Sequence, residues 1–351
     1  MNFKKFKKSF GMIFIVLSAI ITLFILFKNN DLINLIKVVT KINIKYITIA
    51  VFNIFIFWFL EAGMIYELIA KFTNHKRNLE TFWLSLKVTM IGQYYSNITP
   101  LATGGQPVQL YILNDDDISL SNGTAILISK FLLFQIGVTI YTFFLAVYRT
   151  KLLTNYYGGA SAFIVAGLTL NMIMLSSILL IAFNQQILLK ICSALFNLLY
   201  KVHIIKDVKK IMDKTENFIL EYKESIGKLK ENHWFTIKMF AITFIQLTVF
   251  FSTTFFIYKS FSLDKSNIFD IICLQSFLYM AVSFIPTPGT AGASEVGFIL
   301  LLGHLFPSNI LSTALLLWRG ITYYFSLLFS GVFSFTVTTL RKKKVYQLRS
   351  G

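Results

Sequence analysis

The sequence predicts an all-α polytopic membrane protein, with about six full transmembrane helices and two re-entrant or broken helical hairpins, about eight hydrophobic segments in all. Three observations predict it. Of the 351 residues, 56% are hydrophobic and the mean hydropathy is +0.67; a soluble domain of this length is far more polar. Only 14% are charged, and these gather at the ends of apolar runs that exceed what a buried core helix needs. Two runs are broken internally by proline and glycine: residues 97–113, NITPLATGGQPVQLYIL, and residues 284–300, FIPTPGTAGASEVGFIL. Proline removes a backbone donor and clashes with the preceding turn, and glycine lets the chain turn where a side chain would not fit. In hydrocarbon, such a break survives only where the freed groups face protein or a polar cavity. Two breaks in corresponding positions of two halves point to a transport site near the membrane midplane.

The elements follow in order. Lys4, Lys5, Lys7 and Lys8 precede an apolar run at 10–27 with no small-residue cleavage site after it. That predicts a first span with its N-terminus inside rather than a signal peptide. Residues 46–69 form the next span and contain Glu61, and Lys71, Lys76 and Arg77 mark a cytoplasmic loop. Residues 82–98 hold Lys87 and run into the first break, whose outgoing arm ends at Asp115, Asp116 and Asp117, too short to span alone. Residues 123–147, with Lys130, and 160–183 are spans.

The stretch 184–233 is the longest polar one, and Ile204, Val208, Ile211, Phe218, Tyr222, Ile226 and Leu229 form one helical stripe between lysine-rich faces. It predicts an amphipathic helix on the cytoplasmic surface, with a coiled-coil arm as the alternative. Residues 234–258 span again, 268–284 and 295–302 flank the second break, and 312–340 contain the last span with Arg319. A basic tail, residues 341–344 and Arg349, places the C-terminus in the cytoplasm. The net charge of +17 thus sits where it meets anionic lipid headgroups, not in a nucleic-acid-binding patch. Parity requires each broken segment to enter and leave on one side, the first from the cytoplasm and the second from outside. The unit span–break–span then occurs twice in opposite orientations, an inverted repeat within a single integral membrane domain, residues 1–351.

A broken helix exposes N-terminal N–H groups that attract anions. The spacing Pro100-x3-Gly104 recurs as Pro288-x3-Gly292, followed by Gln106 in one case and Glu295 in the other. Charged residues inside spans, here Glu61, Lys87, Lys130, Glu295 and Arg319, each cost about 2.5–3.5 kcal/mol at a helix centre and read as functional or paired. The candidate substrate-binding set is Pro100, Gly104, Gly105, Gln106, Lys130, Pro288, Gly289, Gly292, Glu295 and Arg319. In it Arg319 or Lys130 engages a lipid phosphate and Glu295 holds one of the two by an ion pair. Glu61 and Lys87 read as structural pairing or snorkelling. Cys192 and Cys273 lie far apart, and His75, His203, His233 and His304 have no metal-ligand spacing, so no metal, cofactor or catalytic constellation is expected.

At the two motifs the chain resembles the lysylphosphatidylglycerol synthase transmembrane-region family, the flippase-like proteins, which form the membrane half of the bacterial multiple peptide resistance factor. The resemblance rests on Pro100, Gly104, Gly105, Gln106 and Pro107, on Pro286, Pro288, Gly289, Gly292 and Glu295, and on Arg319, and it covers nearly the whole chain. Many relatives have Glu and Arg where this chain has Gln106 and Gln109, which removes a charge pair at the first break. The resemblance implies movement of a phospholipid of the lysyl-phosphatidylglycerol type, or of a polyprenyl-linked lipid, between leaflets of the bacterial cell membrane. It also offers an alternative, lysyl transfer from lysyl-tRNA to phosphatidylglycerol with resistance to cationic peptides. In the full-length factor that transfer resembles the work of a separate soluble domain, so intrinsic synthase activity is not expected here.

Overall fold

The computed structural model describes residues 42–148, 159–184, 232–283 and 285–350, with Thr40 and scattered positions between 186 and 227. The expected first span at 10–27 and most of the expected surface helix at 184–233, including every residue of its apolar stripe, lie outside the described residues. Among those described, every regular element is helical: α1 (Ile44–Phe72), α2 (Leu79–Asn97), a 3-10 turn (Pro100–Ala102), α3 (Gly105–Asp115), α4 (Leu120–Tyr148), α5 (Gly159–Phe183), α6 (His233–Ser260), α7 (Ile268–Val282), a second 3-10 turn (Pro288–Thr290), α8 (Ala293–Leu302), α9 (Ser308–Arg319), a π-helical turn (Gly320–Phe325) and α10 (Ser326–Ser350). Among the described residues, four stretches are long and apolar enough to cross a membrane: Ile44–Phe72, Leu120–Tyr148, His233–Ser260 and Ser308–Thr339. Ile164–Ser177 and Ile268–Val282 are shorter apolar helices.

Asparagine begins four of the helices. Asn43 accepts from the Lys45 amide, Asn78 from Thr81, Asn232 from Phe235 and Asn267 from Asp270. Each side-chain carbonyl satisfies one amide that the first helical turn leaves without a partner. These caps stand where polar loops give way to apolar runs, so helix starts and run boundaries coincide.

α1 and α6 form the most extensive helix pair and run antiparallel. The Asn43 amide donates to Ser260 O at 2.9 Å, Asn53 Nδ2 to Ser252 Oγ at 3.0 Å, and Gln246 Nε2 to Phe57 O at 3.5 Å. Lys238 meets Glu67 at 2.7 Å at the opposite end. Side-chain amides and hydroxyls joining helices in this way satisfy polar groups that hydrocarbon cannot. Apolar packing fills in around them. Met64, Leu68, Phe72, Val88, Leu113 and Phe235 cluster toward the C-terminal end of α1. Phe251, Phe277, Phe298 and Trp318 belong to a larger cluster that also takes in the C-terminal part of α6.

Each half carries a helical hairpin after its leading helix. α2 starts just past the end of α1, and α3 returns to the same end, where His75, Lys76 and Glu80 share a cleft of about 360 Å³ with Asp116 and Asp117. The two arms touch closely: a Cβ on Gly105 would stand 2.0 Å from Ser96 Oγ. Gln109 is buried in this hairpin and donates to Val88 O at 3.2 Å. The second hairpin, α7 and α8, behaves alike at the other end. Past α8, the Phe306 ring lies 5.7 Å from Tyr258 and 6.1 Å from Phe261, at the C-terminal end of α6. Because α1 and α6 are antiparallel, the hairpins enter from opposite ends of the bundle.

This geometry predicts a labelling pattern. Asp116 and His304 are both exposed. Single cysteines there, with Cys192 and Cys273 replaced by alanine, should react with a membrane-impermeant maleimide from opposite faces of the membrane. Labelling of both from one face contradicts the arrangement.

Candidate functional site

The two breaks fold the same way. Thr99 (φ −119°, ψ 144°) and Thr287 (φ −119°, ψ 145°) are extended. Pro100 and Pro288 follow, and then Leu101 (φ 53°, ψ 20°) and Gly289 (φ 57°, ψ 23°) turn left-handed. Ala102 (φ 55°) and Thr290 (φ 54°) repeat that conformation. The Thr103 amide closes the first turn on Pro100 O at 3.1 Å, and the Ala291 amide closes the second on Pro288 O at 3.3 Å. For Leu101, Ala102 and Thr290 the left-handed region costs about 1–3 kcal/mol each, a kind of strain that clusters at functional sites.

The two turns pack against each other, and α2 also touches the second. Tyr323 joins them. Its hydroxyl donates to Asn97 O at 3.2 Å. Its ring covers Gly289, where a Cβ would come within 2.0 Å of it. Space therefore calls for glycine at 289, and glycine also adopts this positive φ without the strain that Leu101 carries at the first turn. Tyr323 lies at the middle of the apolar stretch Ser308–Thr339, so the turns meet half-way along that span.

An ion pair braces the second turn. Glu295 is fully buried and Arg319 nearly so. Arg319 Nε meets Glu295 Oε1 at 2.6 Å, and Arg319 Nη2 donates to Gly289 O at 2.9 Å. The other carboxylate oxygen, Oε2, accepts from the Gly292 amide at 2.7 Å, capping α8. The guanidinium sits 4.8 Å from the Tyr323 ring centroid and 5.7 Å from that of Trp318, where cation–π attraction adds to the pair. The π-helical turn starts directly after Arg319; such turns recur at functional sites. Because Glu295 already takes the Gly292 amide, the positive charge available here belongs to Arg319 rather than to the end of α8. A guanidinium has five N–H donors, and two of them have acceptors among the described residues.

The first turn is more open. Leu101, Ala102, Thr103 and Gln106 are exposed, Pro100 and Gly104 half-buried, and Gly105 buried. The Gly104 amide donates to Thr99 Oγ1 at 2.8 Å, while α3 has no side-chain cap. Pro107 falls in the first turn of α3, where a missing N–H costs nothing. Lys130 is not at the turns' ion pair. It projects from α4 to Glu61 on α1 at 2.7 Å, with side chains 15% and 16% exposed. Lys87 is half-buried in α2 and makes no ion pair with the described residues. Sequence reasoning passed over Thr99, Thr287, Asn97 and Tyr323. The paired Thr-Pro steps were a usable signal. Nothing singled out Tyr323 among the 16 tyrosines.

Fold and site together define a helical membrane protein whose two halves each bring a Thr-Pro turn to one buried ion pair. The chain belongs to the family described as the lysylphosphatidylglycerol synthase TM region, whose model matches residues 11–330. It is 24% identical over 302 residues to a UPF0104 membrane protein of Archaeoglobus fulgidus, covering 82% of this chain and 85% of that one. No solved structure matches.

Glu295→Ala should strand the Arg319 guanidinium and uncap α8, destabilising the protein by about 3–5 kcal/mol, the cost of breaking a buried pair by removing one partner. Thermal unfolding in detergent checks this. Glu295→Gln keeps an acceptor for the Gly292 amide and should cost clearly less.

Proposed function

We propose that this protein binds a phosphate-bearing membrane lipid where the two turns meet and passes its headgroup between leaflets of the cell membrane. The lipid is a phospholipid of the lysyl-phosphatidylglycerol type or a polyprenyl-linked one. One observation carries the reading: two hairpins entering from opposite ends bring proline-led turns together beside a cation, half-way along a membrane-length helix. Irregular backbone at such depth belongs where it is buried in protein or lines a polar cavity, and broken helices at a repeat interface are the pattern of transporters. On this reading the hairpins are re-entrant, about six full spans surround them, and the halves form an inverted repeat in the bacterial inner membrane with both termini cytoplasmic.

Arg319 is the residue assigned to the phosphate. Its N–H groups beyond Glu295 and Gly289 O suit phosphate oxygens. Glu295 holds the guanidinium in place, so no unpaired cation is buried when the site is empty. The exposed first turn lets the headgroup approach while the acyl chains stay in lipid. Alternating access then amounts to one half rocking against the other around the turns. A gradient, a partner or mass action supplies the driving force.

The family's description favours a second reading, lysyl transfer to phosphatidylglycerol or service as the membrane subunit of that reaction. Purified protein given lysyl-tRNA and phosphatidylglycerol separates the two: lysyl-phosphatidylglycerol formed by this chain alone overturns the transport reading. The direct test reconstitutes the protein in vesicles carrying fluorescent phospholipids and follows their exchange between leaflets. Wild-type protein should speed the exchange, and Arg319→Gln should abolish the gain while still inserting. Unchanged exchange removes Arg319 from the site.

A further inference from the structure

The internal repeat extends past the turns. Adding 188 to a residue number carries Thr99 and Pro100 onto Thr287 and Pro288, and it carries Leu120, the first residue of α4, onto Ser308, the first of α9. The same step carries Trp58 onto Gln246, beside the contact between Gln246 Nε2 and Phe57 O at 3.5 Å. An approximate two-fold axis therefore passes there, between the antiparallel α1 and α6. The packing obeys it. α2 lies on α10 as α7 lies on α4, and α1 lies on α4 as α6 lies on α9.

Under this relation Lys130 falls one residue from the position equivalent to Arg319. One residue turns a helical side chain by about 100°. That shift accounts for the different partners. Arg319 faces its own hairpin and finds Glu295 on α8, whereas Lys130 faces α1 and finds Glu61. The position on α3 equivalent to Glu295 is Pro107, which has no charge to offer. Lys130 lies about 15 Å from the start of α4 and Arg319 about 17 Å from the start of α9 by helical rise, and these helices start at opposite ends of the bundle. The two cations thus flank the axis, one on each side.

The Lys130 pair is not sealed. Its side chains keep 15% and 16% exposure, and only one of the three ammonium donors has an acceptor among the described residues. A pair serving only to join α1 to α4 needs neither opening nor spare donors.

We propose that Lys130, held by Glu61, is a second station for the phosphate of the lipid headgroup, across the two-fold axis from Arg319. This rests on the lipid-transport reading above. A headgroup crossing the protein passes from one cation to the other, and each carboxylate takes back its cation when the phosphate leaves. No charge is then left uncompensated at either stage.

The test replaces the pair by a neutral one, Glu61→Gln with Lys130→Gln, so that no lone charge remains to unfold the protein. Two readouts are taken on folded, inserted protein: leaflet exchange of a fluorescent phosphatidylglycerol in vesicles, and the number of phosphatidylglycerol molecules retained in native mass spectrometry. The proposal expects exchange at least tenfold slower and one bound lipid fewer than wild type. Exchange and bound lipid both at the wild-type level, with Arg319→Gln inactive, overturn the second station and leave the transport reading standing. If wild type exchanges no lipid, the transport reading fails, and the lipid count still decides whether Lys130 holds a headgroup. Excess inorganic phosphate distinguishes the ligand's source. It leaves bound lipid in place if the station is built for a headgroup; complete displacement overturns that assignment in favour of a free anion.

Discussion

Arg319 and Glu295 meet at 2.6 Å in a nearly sealed environment, and much of the architecture follows from that contact. A charge in the middle of an apolar span is tolerated when it is paired and hydrogen-bonded. Glu295 meets that need for Arg319 and at once provides the cap for α8. The cap fixes where α8 begins, and so where the second turn must lie. Arg319 then ties Gly289 O to α9 and sets its guanidinium over Tyr323, whose hydroxyl reaches Asn97 at the end of α2. A chain of contacts thus runs from one carboxylate to both turns. Buried pairs are poor sources of net stability, yet breaking one by removing a partner is costly, and this one links both turns. The arrangement enforced here is the meeting of two hairpins from opposite ends.

The strain at the turns fits this picture. Leu101, Ala102 and Thr290 hold left-handed backbone without glycine's freedom. Such conformations persist only where the surroundings over-determine them. Proline at the start of each turn and the contact between the turns supply that constraint, and the Tyr323 ring adds to it over Gly289. The two halves also differ in an informative way. The second turn has Pro288 buried and Gly289 and Thr290 half-buried, and an ion pair braces it, while the first is exposed and rests on small residues, Gly92, Ser96 and Gly105, packed arm against arm. Two copies of one motif thus sit in unlike surroundings, one braced by charge and one by close packing of small residues.

Much of this was legible in the residues, for physical reasons. Proline and glycine inside apolar runs have few readings in hydrocarbon, so both breaks stood out, as did the buried charges. The all-helical class and the membrane-length helices α1, α4, α6 and α9–α10 followed from hydropathy alone. Partner choice was harder. Glu295 had Arg319 and Lys130 as candidates, and nothing local decides between them. The choice depends on which way α4 and α9 are rotated, a difference of one residue in a repeat of 188. The left-handed Leu101 and Ala102 were hidden because sequence rules look for glycine at such positions. Gln109 read as a lost charge; it is a buried donor to Val88 O holding the first hairpin together. Tyr323 carries no motif and gains its role only from the fold.

The most direct measurement is a cryo-electron microscopy structure in a lipid nanodisc, where lipid density defines depth independently of the protein. The account requires Pro100 and Pro288 side by side near the centre of that density, with the Arg319 guanidinium against the Glu295 carboxylate. Turns separated by an intervening helix, turns lying at the headgroup layer, or an Arg319 facing acyl chains without its carboxylate would contradict it.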